Sequence, residues 1–105
     1  MKEIKALIHR GRVSEVIRAL KKAGCRDITV VDVKGMLRAL GDAEQDYSVE
    51  LGEKVITEAK VEFVCEDDRV DSLVALIKEH ARTGQDDGGW IYVSDILAAH
   101  PIHKA

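Results

Sequence analysis

The chain has few aromatic residues: one Phe, one Trp and two Tyr in 105 positions. Its core must therefore rest on Val, Ile, Leu and Ala. Nucleic-acid binding, which draws on a basic stripe and stacking rings, is disfavoured, and the net charge of −3 points the same way. Two cysteines, Cys25 and Cys65, are too few and too far apart for a disulfide framework, and they fit a reducing cytoplasm. As a pair they read as small apolar residues at element ends, with a redox couple as the sharper alternative. No apolar run approaches the ~20 residues of a membrane span, which argues against direct insertion, and Glu3 and Lys5 interrupt any signal-like start. Asparagine is absent, so an Arg–Asn phosphatase pair is excluded. No nucleophile–base motif or Walker loop stands out, and no enzyme is expected. What remains, at 46% hydrophobic and 33% charged, is one ordinary soluble domain over residues 1–105.

Two segments read strand–helix–strand. Ile4, Ala6 and Ile8 alternate on one face of a first strand, which Gly11 breaks. Val13, Val16, Ile17 and Leu20 recur at helical spacing, and Gly24 is placed to stop that helix. Asp27–Lys34 is β-branched and predicts a second strand. Ala59–Cys65 alternates again; Asp67 or Asp68 can cap a helix with a Val70, Leu73, Val74, Ile77 stripe, ended by Gly84. Trp90–Val93 is a fourth strand, and Ser94 or Asp95 starts a short tail helix that Pro101 cannot continue. The halves look alike in architecture rather than in sequence. This order predicts an α+β, ferredoxin-like βαββαβ sandwich. Ile4 and Ile8, with Ala59, Val61 and Phe63, are not expected all to point one way, so the sheet face opposite the helices needs cover from other copies.

Between Gly35 and Ala59 runs a stretch without clean period, far longer than the usual connection of about 4–6 residues. From Met36 to Glu58 it holds six acids and two bases. Such an arm suits contact with a partner, for which Asp42, Glu44, Asp46, Tyr47 and Glu50 are the candidate residues.

Several stretches then resemble the PII nitrogen-regulatory signalling proteins: Met1-Lys-Glu-Ile-Lys-Ala6, Glu15-Val16, Ile28-Thr-Val-Val-Asp-Val-Lys-Gly35, Lys60-Val-Glu-Phe-Val64 and His80-Ala-Arg-Thr-Gly84. The match spans about residues 1–95. The resemblance implies a cytoplasmic homotrimer with sheets facing inward and clefts between subunits. Those clefts bind ATP or ADP, often with Mg²⁺ and a 2-oxoacid. It also implies a T-loop, here about 36–58, that acts on a membrane transporter or enzyme, a B-loop at about 82–90 and a tail at about 94–105. Carried over by position, Leu7, Ile28, Thr29, Glu62 and Val64 form the adenine side. Gly35 and Arg38 stand at the root of the T-loop, and Arg82, Thr83 and Gly84 at the start of the B-loop.

The departures are informative. Where the family follows Thr-Gly with Lys, Gly, Asp-Gly and Lys, this chain has Gln85, Asp86, Asp87, Gly88, Gly89 and Trp90, and the family's C-terminal arginines fall on Pro101 and His103. Charge-assisted hydrogen bonds are about twice as strong as neutral ones, so losing cations weakens a triphosphate site most. Gly88 and Gly89 can still offer an N–H nest, and Trp90 is a stacking candidate or a core or interface aromatic. Weak binding is expected, with ADP or AMP preferred over ATP, or none. The family's regulatory tyrosine falls on Leu51, which excludes uridylylation. Leu37, Ala39 and Glu58 replace the residues that serve Mg²⁺ and the 2-oxoacid, so 2-oxoglutarate sensing is not expected. Ser48–Lys54 resembles PII-like subgroups tied to metal-efflux or bicarbonate transport. The alternative is a PII scaffold that binds a metal or other small ligand, with His100 and His103 as weak candidate ligands.

Overall fold

A computed structural model of the chain describes residues 1–33, 58–84 and 89–103. Strand β1 (Lys2–His9) lies at the centre, antiparallel to β3 (Glu58–Cys65) on one side and to β4 (Gly89–Asp95) on the other. The short β2 (Thr29–Asp32) pairs with the free edge of β3, giving the order β2-β3-β1-β4. Helices α1 (Val13–Lys22) and α2 (Val70–Ala81) follow β1 and β3, each entered through a 3-10 turn, Arg10–Arg12 and Asp67–Arg69. This is the expected ferredoxin-like arrangement.

Ile4 stands opposite Phe63, Ala6 opposite Val61 and Ile8 opposite Ala59, so these six side chains share one face. All six are buried there, beneath Val16, Leu20, Leu73, Ile77 and Ala81 of the helices. The expectation that they cannot all point one way is thus overturned: side chains alternate along each strand, and the register aligns the apolar set of β1 with that of β3. The opposite face is open and mixed, and its cover cannot be argued from misdirected core residues.

Gly24 ends α1 as expected. At φ 95° it lets its own amide donate to the Lys21 carbonyl and the Cys25 amide donate to that of Leu20, the Schellman pattern. Three other boundaries differ from expectation. Helix α2 stops at Ala81, with Arg82 already extended, so Gly84 bends the chain after the helix rather than ending it. Asp67 and Asp68 sit in the 3-10 turn and do not cap α2; the Asp67 carboxylate takes the Met1 ammonium instead, which holds it below the usual carboxylate range. Strand β4 continues through Ser94 to Asp95, and no helix follows within residues 96–103. Asp95 accepts from the Lys2 ammonium, raising the Lys2 pKa, and so is not free to start a helix.

The helix ends are tied crosswise. Arg12, just before α1, donates through Nε to the His80 carbonyl near the end of α2 at 3.0 Å. Arg69, just before α2, donates through Nη2 to the Ala23 carbonyl at the end of α1. Both carbonyls lie where the helix dipole favours a cation. The halves share more sequence than expected: Arg12-Val13 with Val16, Ile17 and Leu20 repeats as Arg69-Val70 with Leu73, Val74 and Ile77. Arg12→Ala and Arg69→Ala are each expected to lower unfolding stability by about 1.5 kcal/mol, read as a fall in urea midpoint at unchanged slope. An effect at only one of the two positions would refute the reciprocal role.

Candidate functional site

The candidate residues divide between the two edges of the sheet. Thr29 of β2 pairs with Glu62 of β3, and Val64 follows two residues along on the same side. Leu7 of β1 stands between Lys60 and Trp90 in register. Strands β2 and β4 are three inter-strand spacings apart, about 14 Å, so Thr29 and Trp90 do not meet within one chain.

Thr29, Glu62 and Val64 line a groove of about 440 Å³ at the β2–β3 edge, at the end of the sheet where α1 terminates. Its charged lining consists of four carboxylates (Glu3, Asp27, Glu62, Glu66) against two guanidinium groups, Arg26 and Arg69. Glu62 pairs with Lys60 at 2.8 Å, and that hydrogen bond holds its carboxyl below the usual range, so it is an anion at neutral pH. Cys25 and Cys65 also line this groove, and burial raises both thiols. Ile28 packs half-buried against the core instead of lining the groove. Sequence reading missed Arg26 and Arg69; the internal Arg-Val repeat was the available signal for Arg69.

A second hollow, about 210 Å³, lies between the end of α2 and the start of β4 and is lined by Lys78, Arg82, Gly89 and Trp90 among others. Gly89 is fixed by packing. At φ 114° a Cβ there would fall 1.9 Å from the Leu7 carbonyl oxygen, so only glycine lets β4 close onto β1. Trp90 is 59% exposed, which rules out a core role within the chain. Thr83 is half-buried beside an exposed Gly84. Lys78 was missed, although it stands in the last turn of α2, four residues before Arg82.

Gly35, Arg38 and Gly88, the partner-contact candidates Asp42, Glu44, Asp46, Tyr47 and Glu50, and Leu37, Ala39 and Leu51 lie outside the described residues. Glu58 begins β3 opposite His9, and among the described residues its Oε2 is buried without a hydrogen-bond partner. His100 and His103 are exposed beyond β4. Among the described residues no group of three or more His, Cys, Asp or Glu is placed to hold a metal.

Compared with known proteins, the chain matches the family described as "Nitrogen regulatory protein P-II" over residues 1–104. It is 38% identical over 100 residues to "Nitrogen regulatory protein P-II 2" of Methanothermobacter thermautotrophicus, covering 91% of this chain and 84% of that protein. It is 36% identical over 96 residues to "Nitrogen regulatory protein P-II" of Porphyra purpurea, covering 91% and 86%. To the protein of that name from Bradyrhizobium diazoefficiens it is 36% identical over 99 residues, covering 94% and 88%.

The depressed Glu62 pKa gives a pH prediction. Its contribution to stability is complete above the ordinary value of 4.5 and is lost as pH falls through the lower folded value. Lys60→Met removes that contribution. The stability gap between wild type and K60M in urea should be open at pH 7 and close as pH falls below the ordinary value of 4.5; a gap independent of pH would contradict the pairing.

Proposed function

The chain belongs to the nitrogen regulatory protein P-II family, and from that membership we propose that it is a trimeric signalling protein that senses an adenine nucleotide between its subunits. The observation that carries this reading is the division of the candidate residues between opposite edges of the sheet. Packing three open faces together brings the β2–β3 edge of one copy towards the β4 edge of the next, and each cleft then receives one half-site from each copy. Exposed Val31, Val64, Trp90 and Tyr92 on that face supply apolar area for the contact.

The charges of the half-sites suit different parts of a nucleotide. The carboxylate-rich groove with Thr29 offers acceptors to the amine of adenine and to ribose hydroxyls. The hollow with Lys78 and Arg82 offers two cations to phosphate. Two cations favour ADP or AMP over ATP, with modest affinity. The Glu58 oxygen that lacks a hydrogen-bond partner among the described residues is a further acceptor, and it opposes a 2-oxoacid carboxylate. In this reading the protein is a cytoplasmic regulator rather than an enzyme. It acts on a transporter or enzyme through residues 36–58 and is not uridylylated, since Leu51 has no hydroxyl. Among the described residues no helix is long and apolar enough to cross a membrane.

Calorimetric titration with ATP, ADP and AMP, with and without Mg²⁺, tests the reading. One site per subunit is expected, with ADP or AMP tighter than ATP and a loss of at least about tenfold, some 1.4 kcal/mol, in Arg82→Ala. Absence of heat at millimolar nucleotide would overturn it in favour of a scaffold serving another small ligand.

A further inference from the structure

Cys25 and Cys65 stand forty positions apart in the sequence, yet the fold brings them to one place. Cys65 is the last residue of β3, on the side of the strand that carries Val61 and Phe63. Cys25 is the residue immediately after the glycine that ends α1, and its backbone N–H donates a hydrogen bond to the Leu20 carbonyl. Both are half-buried free thiols packed against the same core cluster, and both line the groove that holds Thr29, Glu62 and Val64. The thiols lie close enough for Cys25 to raise the pKa of Cys65, and Arg69 acts on both in the opposite sense.

We propose that Cys25 and Cys65 form a dithiol modification site in this groove, converted by peroxide to an intrachain disulfide. One thiolate attacks the peroxide O–O bond, giving a sulfenic acid and releasing water after proton uptake. The second thiol displaces the sulfenic oxygen as another water, so two thiols and one peroxide yield one disulfide and two waters. The bridge ties the end of α1 to the end of β3 and fixes one wall of the groove. If that groove takes the nucleotide base, as proposed above, the bridge changes nucleotide affinity. Burial keeps both thiols protonated at neutral pH, and near Cys65 Asp67 works with burial while the amino terminus and Arg69 oppose it. Oxidation is therefore slow at neutral pH and faster as pH rises.

The test is intact-mass measurement and non-reducing peptide mapping of the full chain before and after hydrogen peroxide, across neutral to alkaline pH. The expected result is a linked Cys25–Cys65 peptide pair, lost on adding dithiothreitol, with the chain still single on a non-reducing gel. Cys25→Ser and Cys65→Ser should each abolish the linked pair. Sulfinic acid on either cysteine without linkage, interchain dimers, or thiols that survive peroxide at alkaline pH would overturn the proposal. Nucleotide titration of reduced and oxidised protein is read separately. An absence of nucleotide heat in the reduced form refutes the function proposed above, whereas the mass decides the dithiol.

Discussion

The pairing of β1 with both β3 and β4 is the constraint on which the rest depends. Its register sends Ile4, Ala6 and Ile8 to the side of Ala59, Val61 and Phe63, and leaves Lys5, Leu7, Lys60, Glu62 and Trp90 together on the other. A slip of one residue would exchange the faces, exposing the core and burying charges. Gly89 guards that register at one end, where the Leu7 carbonyl leaves no room for a side chain. At the other end the ion pairs of Lys2 with Asp95 and of Met1 with Asp67 hold the strand ends together. They are solvent-accessible, so their part is alignment more than stability.

Over this sheet the helices are joined by more than apolar contact. Each is preceded by an arginine that reaches the carboxyl-terminal end of the other, so the two strand–helix units hold one another in a closed exchange. Arg69 also lines the β2–β3 groove. One side chain therefore secures the end of α1, contributes charge to the proposed base site and lies beside both thiols. Fold and site share this residue, and changes at the groove are coupled to the packing of α1.

The strands β1 and β3 were legible because their alternation is strict, and α1 because its stripe and its stop glycine agree. The caps misled. Asp67 and Asp95 have the chemistry to start helices, but their carboxylates are taken by cations brought near by the sheet, a tertiary contact that local sequence does not display. Core direction was misjudged because period alone gives alternation without saying how neighbouring strands align. At the candidate site, resemblance named Thr29, Glu62, Val64 and Arg82, and Gly89 and Trp90 were named from their own chemistry. Neither reading showed which strand edge carries each of them, nor that Lys78, Arg26 and Arg69 line the same hollows.

The central claim is that two incomplete half-sites on one chain are completed by a neighbouring copy. It is tested most directly by complementation between Glu62→Arg, which damages the β2–β3 groove, and Arg82→Glu, which damages the hollow at β4. Each variant alone should fail to bind ADP in a titration. Mixed trimers, made by co-expression with distinct tags and isolated by sequential capture, contain clefts with two intact halves and should regain binding at those clefts. Mixed trimers that bind no better than either parent would contradict the account.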